Sequence, residues 1–441
     1  LKQSDHDNQP IRLDNLTADG QGLKIYGDGP GSSIFVEAPG QTEIIGRYTK
    51  MFYFYSGLSG SFGFNAGDFI FEDIGFDKNS RSNAAPPGPY AWEQAHVIAF
   101  NGGGTLETNS VTFNRVGFFN KIGAYINHSG GNAVKKFSVS NVSFGQMTED
   151  AAIWGERGDL ELSGANGVNV VDGVTANFMQ IEPVESLKAS ESNWRKTIIV
   201  NSDIQTIQFG EPGSLILGDA KYSTLYLNNV ICETQLSLRN VTATVYNSTV
   251  NLSNIYNTPG DLKVMNCTVL LDYNATTNTV NPVRIRVPNN THGGLAQAHF
   301  SNCSFDINSD NVAASVAGFA IVGHRKSGNV DEVSVSLDHC RFDSRLQGSV
   351  DAYGHGKFNV SNCQIAGRAR GVQVGGYGGY GSDVRLDNND FSAVTGDWVN
   401  IQAHNNLWRL AISGSYPETD WRLTQTGVIG LDGYNVRPVL Q

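Results

Sequence analysis

The densest group of residues able to do acid–base chemistry is Met147-Thr148-Glu149-Asp150-Ala151-Ala152-Ile153-Trp154-Gly155-Glu156-Arg157-Gly158-Asp159. Its carboxyl groups, Glu149, Asp150, Glu156 and Asp159, crowd around an indole and a guanidinium. Hydrolysis of a glycosidic bond needs two carboxyls, one protonated to release the leaving oxygen and one ionised as base or nucleophile. They stand about 5–5.5 Å apart for retention or about 6.5–9.5 Å for inversion. A carboxyl held against the apolar ring of Trp154 would keep its proton to a higher pH and act as the acid. Arg157 would orient its ionised partner. These carboxyls are the candidate catalytic residues; the competing reading is that charges in a loop are simply solvated.

Three further segments carry the same kinds of group. Residues 178–196 hold Glu182, Glu185, Glu191 and Trp194, and the Pro-rich stretch 85–94 holds Tyr90, Trp92 and Glu93. Asp351, Tyr353 and His355 offer an acid, an aromatic ring and a base on one strand, with His324 a coil earlier. Read with His324-Arg325-Lys326, this last set would suit β-elimination, in which a cation neutralises a uronic acid and Tyr or His takes the proton. Neither a metal nor a cofactor is expected.

What positions these groups is a repeat. Alternating apolar residues lead to Asn or Asp, then a small or branched residue, then one more apolar position. Phe71-Glu72-Asp73-Ile74-Gly75-Phe76, Phe113-Asn114-Arg115-Val116-Gly117-Phe118 and Val139-Ser140-Asn141-Val142-Ser143-Phe144 are early copies. Leu227-Asn228-Asn229-Val230, Val264-Met265-Asn266-Cys267, Phe300-Ser301-Asn302-Cys303, Leu337-Asp338-His339-Cys340, Val360-Ser361-Asn362-Cys363 and Leu386-Asp387-Asn388-Asn389 follow. From Asn229 through Asn266 and Asn302 to His339 the steps are 37, 36 and 37 residues, and Asn247 divides the first into 18 and 19. A three-sided coil of about 20 residues fits, with longer steps carrying loops grown from one face. Asn suits the bend because it tolerates the left-handed region and its side chain bonds nearby backbone. The fold class expected is therefore all-β, a parallel β-helix over residues 1–405 with a short C-terminal β segment over 406–441.

The same grammar places side chains. Gly123-Ala124-Tyr125-Ile126-Asn127-His128 aligns with Ala152-Ile153-Trp154-Gly155-Glu156, and further on with Ala320–His324, Val350–His355 and Val399–His404. Small or apolar residues at alternate positions go inside. Tyr125, Asn127, Trp154, Glu156, His324, Asp351, Tyr353, His355, Asn400 and Gln402 then face out. Rings to stack on pyranose faces and amides to read hydroxyls are what a sugar-binding groove requires, although a plain solvated sheet face carries such residues too. The expected substrate-binding set is Trp154, Tyr125, Asn127, Arg157, Glu182, His324, Asp351, Tyr353 and His355.

Bulk properties narrow the function classes. With 42 acidic against 31 basic residues and a net charge of −11, the chain lacks the basic face that a nucleic-acid partner needs. No apolar run approaches the roughly 20 residues that span a bilayer, so membrane insertion is not expected. The 5 cysteines have no metal-ligand spacing. Cys267, Cys303, Cys340 and Cys363 each follow a bend and are expected as a column of packed, unbridged side chains. Asp306 and Asp343, each four residues past a bend on successive coils, would repel unless one stays protonated or a cation binds; a structural cation or outward splay is the expectation.

Leu23-Lys24-Ile25-Tyr26-Gly27-Asp28-Gly29 followed by Ser33-Ile34-Phe35-Val36 resembles the first coil of pectate-lyase-like right-handed β-helices. The resemblance is one of pattern and covers roughly residues 20–405. That superfamily includes pectinases, epimerases and bacteriophage tailspike depolymerases; the lack of a signal peptide and of a disulfide framework points toward the tailspikes. The tail after residue 405, with Trp408, Tyr416, Trp421 and Tyr434, resembles their trimerising segments. What the resemblance implies is a homotrimer in the virion tail, acting outside the cell, that cleaves a capsular or O-antigen polysaccharide of the bacterial surface. Hydrolysis by paired carboxylates is the favoured reaction. A lyase on the same scaffold and a fibre or adhesin that grips glycan without cutting it are the alternatives.

Overall fold

The computed structural model describes residues 11–14, 23–36, 52–56, 64–77, 98–102, 106–119, 126–130, 133–144, 160–163, 168–182, 196–209, 224–238, 242–253, 260–286, 296–324, 333–353, 356–375, 382–402, 409–413 and 423–426. Among them there is no α-helix, and the strands pair almost entirely in parallel, the architecture of a parallel β-helix. In such a solenoid each coil touches only its neighbours. The contacts divide the chain into two compact units, Leu1–Tyr226 and Leu227–Gln441.

In the first unit, strand Phe64–Asp77 lies in register with Leu106–Phe119 on both sides of the bend, Phe71 beside Phe113 and Phe76 beside Phe118. Leu23–Tyr26 continues the row on one side through Ile25, and Ala133–Ser140 on the other through Val139. Period-2 alternation turns the phenylalanines inward, and they stack between coils. Phe71 and Phe113 lie 4.9 Å apart, Phe76 and Phe118 5.4 Å, and Phe35 and Phe76 5.7 Å. A second row joins Phe52, Ile98, Ile126 and Leu160. The strand beside Ile126–Gly130 is therefore Leu160–Ser163, which corrects the expected alignment of that strand with 152–156. Leu160-Glu161-Leu162 alternates as well as Ile153-Trp154-Gly155 does, and the loop lengths between coils decide which one pairs.

The second unit has three strand positions per coil. Before the bend, Val264, Phe300, Leu337, Val360, Leu386 and Ile412 form one interior row. After it, Val269, Phe305 and Phe342 form another. Phe305 and Phe342 stack at 5.0 Å, and Ile365, also fully buried, fills the position before Phe391. The third row is Val283, Ile321, Val350, Val372, Val399 and Leu423. Parallel pairing runs past residue 405, since Arg409–Ser413 pairs with Ser382–Asp387 and Leu423–Thr426 with Asp397–Gln402.

Each bend read from the sequence has a left-handed backbone. Asp73, Arg115 and Asn141 in the first unit and Asn229, Asn247, Asn266, Asn302, His339, Asn362 and Asn388 in the second have φ between 48° and 56°. Gly173 and Asn201 are further left-handed bends, outside the copies of the phrase named above. Arginine is a poor residue for this region; Arg115 is held there by Asp73, which receives its Nε and Nη2 at 2.7 Å.

The residue after the bend does more than pack. Its backbone N–H points along the axis, and the equivalent side chain of the next coil accepts it. Val174 N–H donates to Ser202 Oγ (3.1 Å), Val230 to Ser248 Oγ (3.0 Å), Ser248 to Cys267 Sγ (3.5 Å), Cys340 to Cys363 Sγ (3.3 Å) and Cys363 to Asn389 Oδ1 (2.9 Å). Those thiols in turn donate to the carbonyl two residues back, as Cys363 does to Ser361 at 3.1 Å. None of the 5 cysteines is in a disulfide and all are buried. At Cys267 the thiol–thiol contact with Cys303, and then burial, push the pKa well above the usual thiol range. Asp343 is met by a side-chain cation, Arg345, while Asp306 accepts from Ser304 Oγ at 2.8 Å. Burial opposes ionisation of Asp343, but hydrogen bonds from Arg345, the closest at 2.5 Å, outweigh it and hold the carboxyl below its usual range.

Candidate functional site

The third row of the second unit carries the outward residues that chemistry needs. Val350 and Ala352, Val372 and Val374, and Val399 point into the core at 0% exposure. Between them Asp351, Gln373 and Asn400 face the other way, on successive strands in direct register. Adjacent strands lie about 4.8 Å apart, so the three polar groups form one ladder.

Outward does not mean solvated here. Gln373 is 8% and Asn400 7% exposed, and Asp351 is half-buried. Gln373 Nε2 donates to Asp351 Oδ1 at 3.2 Å, while its Oε1 accepts from Arg370 Nη1. Arg370 is thus held by an amide, not by the carboxylate. Burial pushes the Asp351 carboxyl up to about 6, against the opposing pull of the Gln373 hydrogen bond and the charge of Arg370. Asn400, which Thr424 follows in register, has its Oδ1 buried and accepting no hydrogen bond among the described residues. A buried acceptor left unpaired costs roughly 1–3 kcal/mol, and a ligand hydroxyl would recover it. Asn169 Oδ1 and Asp383 Oδ1 are also unpaired, on other rows.

A neighbouring row aligns His324, Tyr353, Gly375 and Gln402. His324 and Tyr353 therefore occupy equivalent positions on adjacent coils, a register that the sequence did not determine. Asn127 lies in register between Ala99 and Glu161, and Glu182 beside Ser163, both in the first unit. Glu149, Asp150, Trp154, Glu156, Arg157, Asp159, Tyr125 and His355 lie outside the described residues. Of the expected site residues, Asp351 is the one whose side-chain environment is described.

Arg370 and Gln373 were missed. The signal was present: Arg370-Gly371-Val372-Gln373-Val374-Gly375 alternates like its neighbours and falls 22 residues after Asp351 at the matching Gln373. Its glycines hid it. Gly323, on the interior side of the adjacent strand, is small for a reason as well, since a Cβ there would come within 2.2 Å of the Phe358 ring.

Chemically, the ladder is a proton donor with an amide clamp on the next strand and a buried amide acceptor on the strand after that. It can deliver a proton near pH 6 and hydrogen-bond hydroxyls. No protein-family profile, curated protein or solved structure matches the chain.

Proposed function

We propose that this chain binds and depolymerises a polysaccharide, with Asp351 protonating the leaving glycosidic oxygen while a water molecule bonds to the anomeric carbon and gives up its proton, and with Gln373 and Asn400 reading sugar hydroxyls. The observation that carries this reading is a carboxyl whose titration burial pushes up to about 6, held by Gln373 in a row where, one strand further on, the buried Asn400 oxygen has no donor among the described residues. Perturbed carboxyls of this kind are what general-acid catalysis uses. Hydrolysis is the favoured reaction, and the cluster Glu149, Asp150, Glu156 and Asp159 is the competing location for its carboxyl pair. The resemblance to tailspike β-helices adds the substrate class, a capsular or O-antigen polysaccharide, and the setting, a homotrimer in a virion tail.

The test is digestion of a panel of purified bacterial surface polysaccharides, reading new reducing ends together with ultraviolet absorbance of unsaturated uronates. Reducing ends without absorbance, abolished in Asp351→Asn but kept in Glu149→Gln, Asp150→Asn, Glu156→Gln and Asp159→Asn, would support the reading. Full activity in Asp351→Asn would remove Asp351 as the acid, and a gain of absorbance would replace hydrolysis by elimination. Binding without cleavage would make the amide ladder a grip, the second reading that Gln373 and Asn400 favour.

A further inference from the structure

Along the bends of the second unit the side-chain amides form a ladder of their own. Asn247 Nδ2 donates to Asn228 Oδ1 (3.3 Å) and Asn266 Nδ2 to Asn247 Oδ1 (3.4 Å). It resumes where Asn362 Nδ2 donates to Asp338 Oδ1 (2.9 Å) and Asn388 Nδ2 to Asn362 Oδ1 (3.0 Å). Between these runs it is broken, at Asn302 and at His339, the position where a histidine stands in for asparagine. The Asn302 amide has no hydrogen-bond partner among the described residues. His339 turns its Nδ1 to Asp338 Oδ2 at 2.9 Å, which leaves Nε2 available. The break coincides with a concave corner of ≈ 530 Å³ that Asn302, His339, Arg341, Asn362 and Gln364 line together.

Arg341 is exposed, and its guanidinium has neither an ion pair nor a hydrogen bond among the described residues. Register sets it between Ser304 and Gln364, both uncharged. The chain has 42 acidic residues, yet none lines this corner. A guanidinium with no carboxylate of its own, an imidazole already oriented by Asp338, and amides on either side match one carboxylate surrounded by hydroxyls. A more highly charged anion would meet a single permanent cation on a chain of net charge −11.

We propose that this corner binds a carboxylate-bearing sugar, a uronic acid unit, with Arg341 on the carboxylate and the Asn302 and Gln364 amides on the hydroxyls. The site lies at the bends, apart from the row that carries Asp351, and does not rest on Asp351 being an acid.

The test is calorimetric titration of the full chain with D-glucuronate, glucose and a short glucuronate oligomer, in wild type and in Arg341→Gln, His339→Asn and Asp351→Asn. His339→Asn keeps a residue suited to the left-handed bend and supplies the missing amide, so the fold is retained. Glucuronate should bind roughly tenfold tighter than glucose, the value of one charge-assisted contact. Arg341→Gln should erase that preference, His339→Asn should weaken it, and Asp351→Asn should leave it intact. Tighter binding of the oligomer assigns the site to a polymer; equal binding assigns it to the free acid. Equal affinity for glucose and glucuronate, a preference that survives both Arg341→Gln and His339→Asn, or no saturable binding of any of the three would overturn the proposal.

Discussion

Asp351→Asn should make the protein more stable at pH 8 and no more stable at pH 4. In the fold the carboxyl titrates at about 6 because burial penalises its charged form, whereas an unfolded aspartate titrates at about 3.9. Between those values the folded chain binds the extra proton. Stability is therefore fully present below about pH 4, falls as pH rises through about 6, and stays low above it. The gap is about 2 pH units, which is roughly 2–3 kcal/mol once the partial exposure of the side chain is allowed for. Asparagine cannot ionise, keeps an oxygen for Gln373, and should recover that amount at pH 8. This is roughly 4–7 °C in Tm for one compact unit melting by itself and roughly 2–3 °C for the whole chain melting together. Thermal unfolding of both proteins at one scan rate, at pH 4 and at pH 8, measures it. A variant equally or less stable than wild type at pH 8 would mean that the carboxylate is ionised and well paired, and the case for a stored proton would collapse. A gain in stability joined to loss of activity is the signature of a group retained for function.

Other substitutions probe the scaffold. Cys363→Ser should cost under about 1 kcal/mol in urea unfolding, because a hydroxyl still accepts the Cys340 N–H as Ser248 does for Val230; Cys363→Ala strands that buried N–H and should cost roughly 1–3 kcal/mol. Phe113→Ala removes a ring at 0% exposure that stacks on Phe71, and should cost roughly 3–5 kcal/mol by the same measurement. Gly323→Ala forces a methyl against the Phe358 ring and should cost roughly 1–3 kcal/mol, with loss of activity from the strand beside Asp351. The thiols should resist a thiol-specific reagent until denaturant is added, since every one is buried.

The bends and the interior were legible in the residues because they answer to local rules. Alternation at period 2 selects the inward face wherever the strand lies, and the left-handed region selects Asn, Asp or Gly at a single position. That is why each bend named from the phrase, and the buried position after it, is found in place. It is also why Asp351 and Asn400 could be assigned outward without any knowledge of their neighbours.

Register between coils answers to no local rule, because it depends on how many residues the intervening loop consumes. Only the tertiary structure put Leu160, not 152–156, beside Ile126, and slid Gln373 between Asp351 and Asn400. It alone paired Arg345 with Asp343 where the sequence left a choice of cation or splay. The thiol and hydroxyl acceptors of Cys363, Ser248 and Ser202 look like packing in the sequence and become backbone partners only when coils stack. The same holds for charge and reactivity: an aspartate is acidic by type, but burial between coils is what pushes the Asp351 carboxyl up to about 6. Residue type determined the coil, and contact between coils decided its chemistry.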